Sequence, residues 1–456
     1  MTKLQAYRKT KLDETDAITK RTISNHAGKQ FPHRDEYFLR AFALTVFQII
    51  RPLGIVDTID DLDVSWIDRA RLGADIALRL PKKLKELGSK EYVEKIVPAL
   101  AECCASLAGS HGIERVEAVG IYVNFVLGER SFFDSLEKIE SLGDCYGQSD
   151  RDIAKVAVID YSSPNAAKHL HAGHIRSTII GHLIGNLLEQ TGGIVHRVNH
   201  INDWGGIGAI MEGFVRWEKD FDATGNTLLY EIYLRYRTGE KLAGKEALWL
   251  EANEETRERF AKAYESNGDY ESFKQAFSDF KRASHERFMR LENGDDAEFV
   301  LWEKIIPWSL SEFGEFYHLL GIHIDHSIGE SFYADTGRDI VDAGVENKTL
   351  VFYTEQMAAR DKKLLADKLA QGEIEEKIHD KLAEEITRDI GCFVVPLSDF
   401  ERFVVLKQDR STIYATRDLG VVKFRTDFWN PDTVIYEVGQ EQADHFDGVF
   451  RSSKIL

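Results

Sequence analysis

The sequence predicts an α/β protein, and three observations carry that expectation. From Lys155 onward, strand-like apolar runs alternate with glycine-bearing turns and helical periodicity. Earlier, Ala74 to Leu80 alternates as a strand does, and Pro81 opens a helical stretch through Leu87. Hydrophobic residues make up 43% of the 456 positions, ample for cores in about two to four domains.

Taken in order, Met1 to about Asp63 reads as two helices. The apolar block Phe38 to Val56 is broken at Pro52-Leu53-Gly54. Met1 to Lys20 is densely charged with no apolar core, so no secretory signal is expected, and Ala41 to Ile50 is too short to span a bilayer. A helix around Tyr92 to Leu107 and a strand-like run from Val116 to Leu127 complete a small α/β unit. The strand Val156 to Tyr161 is then followed by a turn with Pro164 and Asn165. Next comes a helix bearing Ile175, Ile179, Leu183, Leu187 and Leu188 at helical spacing, and after Gly192-Gly193 a strand from Ile194 to Ile201. That is a βαβ unit with an expected right-handed crossover, the core of a Rossmann-like parallel sheet. Gly213 to Leu291 is charged, aromatic and mostly helical in pattern, and reads as an insertion. Ala358 to Ile390 reads as one strongly charged, solvated helix, packed by a stripe of Ile374, Ile378, Leu382, Ile386 and Ile390. Thr433 to Val438 reads as a buried strand, and Ser452-Ser453-Lys454 as helix surface. The expected division is residues 1–150 as an N-terminal domain and 151–456 as a catalytic domain, with insertions at about 213–291 and 334–400. No repeat or low-complexity tract is present.

The formal net charge of −18 argues against a protein that coats nucleic acid with its whole surface, but not against one local basic face. Cys103, Cys104, Cys145 and Cys392 contain no Cys-x-x-Cys, which fits reduced thiols in a cytoplasmic setting. No membrane contact is expected.

Chemistry concentrates in Ser162-Ser163-Pro164-Asn165-Ala166-Ala167-Lys168-His169-Leu170-His171-Ala172-Gly173-His174. A strand ends, a turn follows, and a helix begins where Gly173 leaves room for a ligand against the backbone. Free N–H groups and the positive helix end would face phosphates there. Lys168, His171 and His174 add donors for charge that develops during nucleotidyl transfer. Three histidines so close could instead hold a metal or decorate a helix start. No Cys or acidic residue is interleaved at zinc spacing, and no metal site is expected.

The wider pattern Ser-Ser-Pro-Asn-x-x-Lys-x-x-His-x-Gly-His, continued by Ile175-Arg176-Ser177-Thr178-Ile179-Ile180-Gly181, resembles arginyl-tRNA synthetases of class I. Gly120-Ile121-Tyr122-Val123-Asn124-Phe125 resembles the end of that family's additional N-terminal domain, which contacts tRNA. Asp203-Trp204-Gly205 resembles part of a Gly-Asp-Trp-Gly element, with Asn202 in place of the first glycine. The resemblance runs from about Ala74 to the C-terminus. It implies a monomer that activates L-arginine with ATP and Mg2+ and transfers it to tRNA(Arg).

A guanidinium is best read by carboxylates that accept paired hydrogen bonds, with an aromatic face alongside. Glu330 in Gly-Glu-Ser-Phe-Tyr, with Tyr414 and Asp418 in Tyr-Ala-Thr-Arg-Asp-Leu, supplies this set and matches the family's arginine positions. Tyr414 and Asp418, four apart, would share one helix face. The resemblance assigns Asn165 and Gln442 to the α-amino and carboxylate end of arginine, and Asp160 to the same pocket. It assigns Lys168, His171 and His174 to catalysis, and Pro164, His171, Gly173, His174, Gly439 and His445 to ATP.

A second signature of Lys-Met-Ser-Lys-Ser type and a helical anticodon-binding domain, which family members carry, are not found up to Leu456. The expectation is therefore a truncated enzyme, with a non-catalytic arginine- or tRNA-binding fragment as the alternative. A nucleotidylyltransferase is a further alternative, although it gives Glu330, Asp418 and Gln442 no reason to exist together.

Overall fold

The computed structural model describes residues 1–398, 401–408, 410 and 412–456. It divides into two compact units, Gly28–Ala154 with Glu189–Gly193, and Met1–Ala27 with Lys155–Leu188 and Ile194–Leu456. The expected boundary at residue 150 therefore misses one element. The first helix, α1 (Lys3–Ala27), groups with the larger unit because its partners are there. Leu4 and Thr15 are buried, Thr19 Oγ1 accepts from Trp429 Nε1 at 3.0 Å, and Arg8 Nε donates to the Ser331 carbonyl at 2.8 Å.

In the smaller unit, α2 (Phe38–Ile50), β1 (Asp63–Trp66), α3 (Arg69–Leu72), β2 (Ile76–Arg79), α4 (Pro81–Glu91) and α5 (Val97–Cys104) precede β3 (Ile113–Val119), β4 (Tyr122–Leu127) and α6 (Glu129–Leu142). The sheet is antiparallel in the order β1-β2-β4-β3. Phe42, Val46, Ile50, Leu78, Val123 and Phe125 make its core. The single strand expected over Val116 to Leu127 is a hairpin. Gly120, at φ +57°, turns the chain where most other residues would be strained.

The larger unit is built on β5 (Val156–Asp160), α7 (Ala172–Gln190) and β6 (Ile194–Ile201), the strand–helix–strand read from the sequence. Helices α8 (Ile207–Trp217), α9 (Gly225–Gly244), α10 (Glu246–Glu251), α11 (Glu254–Ala263), α12 (Tyr270–Glu292) and α13 (Asp296–Leu319) follow, so the helical block extends past both expected limits, 213 and 291. Its core is aromatic, with Trp217 stacked on Phe280 at 4.9 Å. Next come β7 (His326–Gly329), α14 (Glu330–Glu346), β8 (Val351–Phe352), α15 (Glu355–Ala370), α16 (Glu376–Arg388), β9 (Phe393–Pro396), β10 (Arg402–Leu406), α17 (Tyr414–Trp429), β11 (Thr433–Tyr436) and α18 (Ala443–Ser453).

The central sheet runs β11-β5-β6-β7 with every pair parallel. Phe313 and Tyr317 of α13 pack with Ile159 and Val195, while Tyr333 of α14 and Val421 and Trp429 of α17 pack with Val158 and Val198. Alternate residues of each strand thus face opposite layers, as a doubly covered sheet requires. This is a Rossmann-like α/β fold accompanied by an N-terminal α/β domain.

The second insertion was expected over 334–400. In the structure Ala334 lies inside α14, which packs on α17, and the added elements are α15, α16 and the small antiparallel sheet β10-β9-β8. Residues 399 and 400 lie outside the described residues. The charged stripe at 358–390 is two helices, parted at Gly372 with φ +72°. The strand β11 lies at the edge of the sheet and is only half-buried, and Ser452, expected at the surface, is buried in α18. No helix among the described residues is long and apolar enough to cross a membrane.

Candidate functional site

All four strands of the central sheet deliver residues to one cavity at their carboxyl ends, where open parallel sheets place ligands. Asp160 ends β5, His200 and Asn202 lie at and beyond the end of β6, Glu330 follows β7, and Glu437 to Gln442 follow β11. The cavity measures about 570 Å³. Eleven of the thirteen expected residues line it, namely Asp160, Asn165, His171, Gly173, His174, Glu330, Tyr414, Asp418, Gly439, Gln442 and His445. Pro164 and Lys168 do not.

Pro164 is buried in the turn, where its carbonyl accepts from Asn202 N–H at 3.0 Å. Lys168 turns to a neighbouring cavity of about 550 Å³, which Asn165 and Asn202 also line. There its Nζ lies 4.9 Å from the Tyr233 ring centre, a cation–π contact.

One wall presents phosphate-type donors. His171 Nδ1 accepts from Gly173 N–H at 3.1 Å, and His174 Nδ1 accepts from His171 N–H at 3.3 Å. A neutral imidazole whose Nδ1 accepts carries its proton on Nε2, so both rings have a donor to offer a ligand. Burial, then the adjacent His171 and Lys168, lower the pKa of His174 and keep that ring neutral. Arg176, on the same helix, adds a fixed charge.

A second group of lining residues is acidic and mostly buried. Glu330 is fully buried, and its Oε2 accepts from Arg417 Nε at 2.6 Å. Its Oε1 has no hydrogen-bond partner among the described residues, and His200 Nε2 lies 3.9 Å away. Burial pushes this carboxyl up, to about 8, with Arg417 pulling it down. Asp418 Oδ2 contacts His445 Nε2 at 2.7 Å, and Tyr414 packs on the same imidazole at 4.8 Å between ring centres. Tyr414 and Asp418 both reach the cavity from the first turns of α17, as their spacing requires. Asp160 does not face water. Its Oδ2 accepts from the fully buried Arg425 at 2.8 Å, and its Oδ1 from Ser163 Oγ at 3.1 Å.

Sequence reasoning missed His200, Arg417 and Arg425. Arg417 stands inside the quoted Tyr-Ala-Thr-Arg-Asp and could have been asked what it neutralises. His200 and Arg425 carried no local signal.

Residues 138–360 match the family model for the catalytic domain of class I tRNA synthetases, type R. Over 395 residues the chain is 31% identical to an arginine–tRNA ligase of Clostridium botulinum (strain Okra / Type B1), covering 83% of this chain and 57% of that protein. It belongs to the class I arginyl-tRNA synthetase family. An arginine–tRNA ligase of Clostridium perfringens (strain 13 / Type A) is 29% identical over 371 residues, covering 80% of this chain and 53% of that protein. The chain thus spans about half the length of the curated relatives it matches. Among solved structures, the arginyl-tRNA synthetase from Plasmodium falciparum superposes with a TM-score of 0.56 at 19% identity, covering 90% of this chain and 61% of that one. That last likeness is one of fold.

Proposed function

We propose that the chain activates L-arginine with ATP, as its magnesium complex, to arginyl-adenylate, and passes the arginyl group to tRNA(Arg). One observation supports this most. A single cavity is lined both by Glu330, Asp418 and Tyr414, a set suited to a guanidinium, and by His171, Gly173 and His174 at a helix N-terminus, a set suited to phosphates.

In this reading Glu330 and Asp418 hold the guanidinium beside the Tyr414 ring. Asn165, Gln442 and Asp160 hold the α-amino and carboxylate end. A carboxylate oxygen of arginine then attacks the α-phosphorus in line. The new P–O bond forms as the bond to the bridging oxygen breaks, and pyrophosphate leaves with the electron pair. No side-chain nucleophile is needed. His171 and His174 donate from Nε2 as phosphate charge develops, each well-aimed donor giving about 3–4 kcal/mol. Pro164, Gly173, Gly439 and His445 shape the nucleotide side. Lys168 acts from the neighbouring cavity, whose Tyr233, Tyr236, Arg237 and His285 suit the base and phosphate of an RNA end. Magnesium would enter with its nucleotide, held on the phosphates. Residues 28–154 would contact tRNA.

The test is L-arginine-dependent exchange of labelled pyrophosphate into ATP, with tRNA(Arg) present and citrulline and lysine as controls. Exchange with arginine alone supports the reading. Calorimetric binding of L-arginine without exchange reduces the reading to an arginine-binding module, and no binding by either method overturns it.

A further inference from the structure

A carboxylate wholly removed from water needs a permanent opposite charge or it takes up a proton. Arg417 is the cation bonded to Glu330, through Nε on Oε2 at 2.6 Å. That leaves Oε1 as the oxygen without a partner on a residue that lines the cavity. The arrangement is built rather than accidental. Arg417 is 7% exposed, and Gly205 leaves it room, since a Cβ there would come within 3.1 Å of its Nη2 and φ is +64°. The helices bearing the two residues are locked together, because a Cβ on Gly420 would press on the backbone of Gly337 and Tyr333 at 2.8 Å.

We propose that Arg417 is a positioning residue for arginine recognition: it holds Glu330 by one oxygen and favours its ionisation, so that the other oxygen can receive the substrate guanidinium. This rests on the arginine-binding reading above. Two cations, one internal and one brought by the substrate, would then share a single buried carboxylate. The other groups that face Glu330 are Asp418 and Tyr414 from α17, His200 from β6, and Asp203 from the loop after it. Asp203 is itself buried, raised to about 6 by burial, and engaged by Ser331 N–H and Oγ. None of these supplies a fixed positive charge, so nothing replaces Arg417 when it is removed.

Arg417→Met and Arg417→Lys test this in the full chain. L-Arginine and citrulline binding are measured by calorimetry from pH 6 to 9.5, a range set by the ordinary reach of carboxylate shifts. Wild-type affinity for arginine should rise with pH and level off once Glu330 is ionised. In Arg417→Met the curve should move to higher pH by about 1–3 units, a loss of roughly tenfold or more at neutral pH. Arg417→Lys should recover part of it. Citrulline binding should change little, so the preference for arginine collapses, which general damage to the pocket would not produce. Independently of any ligand, infrared difference spectra should show a protonated carboxyl band, absent when Glu330→Gln is added, that disappears at a higher pH in Arg417→Met than in the wild type. An unchanged pH profile in a variant that binds arginine, or a band that titrates at the same pH in variant and wild type, overturns the role of Arg417. If the unaltered chain fails to bind L-arginine, the arginine reading falls and the infrared measurement still decides whether Arg417 eases the ionisation of Glu330.

Discussion

Replacing His174 with Ala should slow adenylate formation by about 10²–10³-fold while L-arginine affinity barely moves, because its donor matters most as phosphate charge grows. Pyrophosphate exchange beside calorimetry separates the two effects. Asp418→Asn should act on the other substrate. Removing one partner of a buried pair costs about 3–5 kcal/mol, and the loss should fall on L-arginine affinity. His445 Nε2 rests on Asp418, however, so ATP affinity should weaken as well, which titration with ATP alone would reveal. The residues proposed to touch substrates were legible because they stand in short motifs with fixed spacing. Their charge partners were not, since pairing is tertiary: Arg425 is 265 positions from Asp160, and Arg417 is 87 from Glu330. No local periodicity carries information over such separations.

Helices α14 and α17 meet through glycines, and that contact sets the separation of Glu330 from Asp418. Gly337→Ala would drive a methyl against the Thr416 carbonyl and should destabilise the protein by about 1–3 kcal/mol. Urea unfolding measures that cost. Arginine affinity should fall with it, since Tyr414 and Asp418 ride on the displaced turn. The strands β6 and β7 hold another vulnerability, His196 and His326, with ring centres 5.6 Å apart beside Trp429. Burial lowers both to about 4 from 6.5, helped for His326 by His196 and opposed in each by Asp325. An unfolded histidine therefore binds a proton that the folded one refuses. Stability should fall as pH drops from 6.5 towards 4, by roughly 3 kcal/mol for one such group. Urea midpoints of wild type and His326→Gln across that range check it, the variant being expected to show the flatter profile. Period and glycine punctuation revealed β5, α7 and β6 in the sequence, where local and tertiary demands agree. The hairpin at Gly120 escaped because its two strands abut with almost no polar interruption.

Across the whole molecule, the element the sequence placed worst is α1. Its weak amphipathic pattern offered nothing to show which core it joins, and only tertiary contacts do so. Tyr7 packs on Trp302 at 5.2 Å between ring centres, and Lys3 N–H bonds Asp296 Oδ1 at 2.9 Å. Deleting residues 1–27 should lower the unfolding midpoint of the larger unit and leave the smaller one unchanged. Segment-resolved hydrogen exchange during urea titration distinguishes the two, with residues 156–160 and 122–127 as reporters.

The bond between Thr19 and Trp429 spans 410 positions of chain. On a ribosome that adds about 5–20 residues per second, the first helix emerges some 20–80 seconds before its partner tryptophan exists. Until residues 296–331 have followed, residues 28–154 can complete their own core, while α1 lacks its partners Asp296, Trp302 and Ser331 and must remain solvated or shielded by a chaperone. The amino terminus is therefore the first segment born and among the last to be seated, and a nascent chain stalled before residue 296 should display it to proteases.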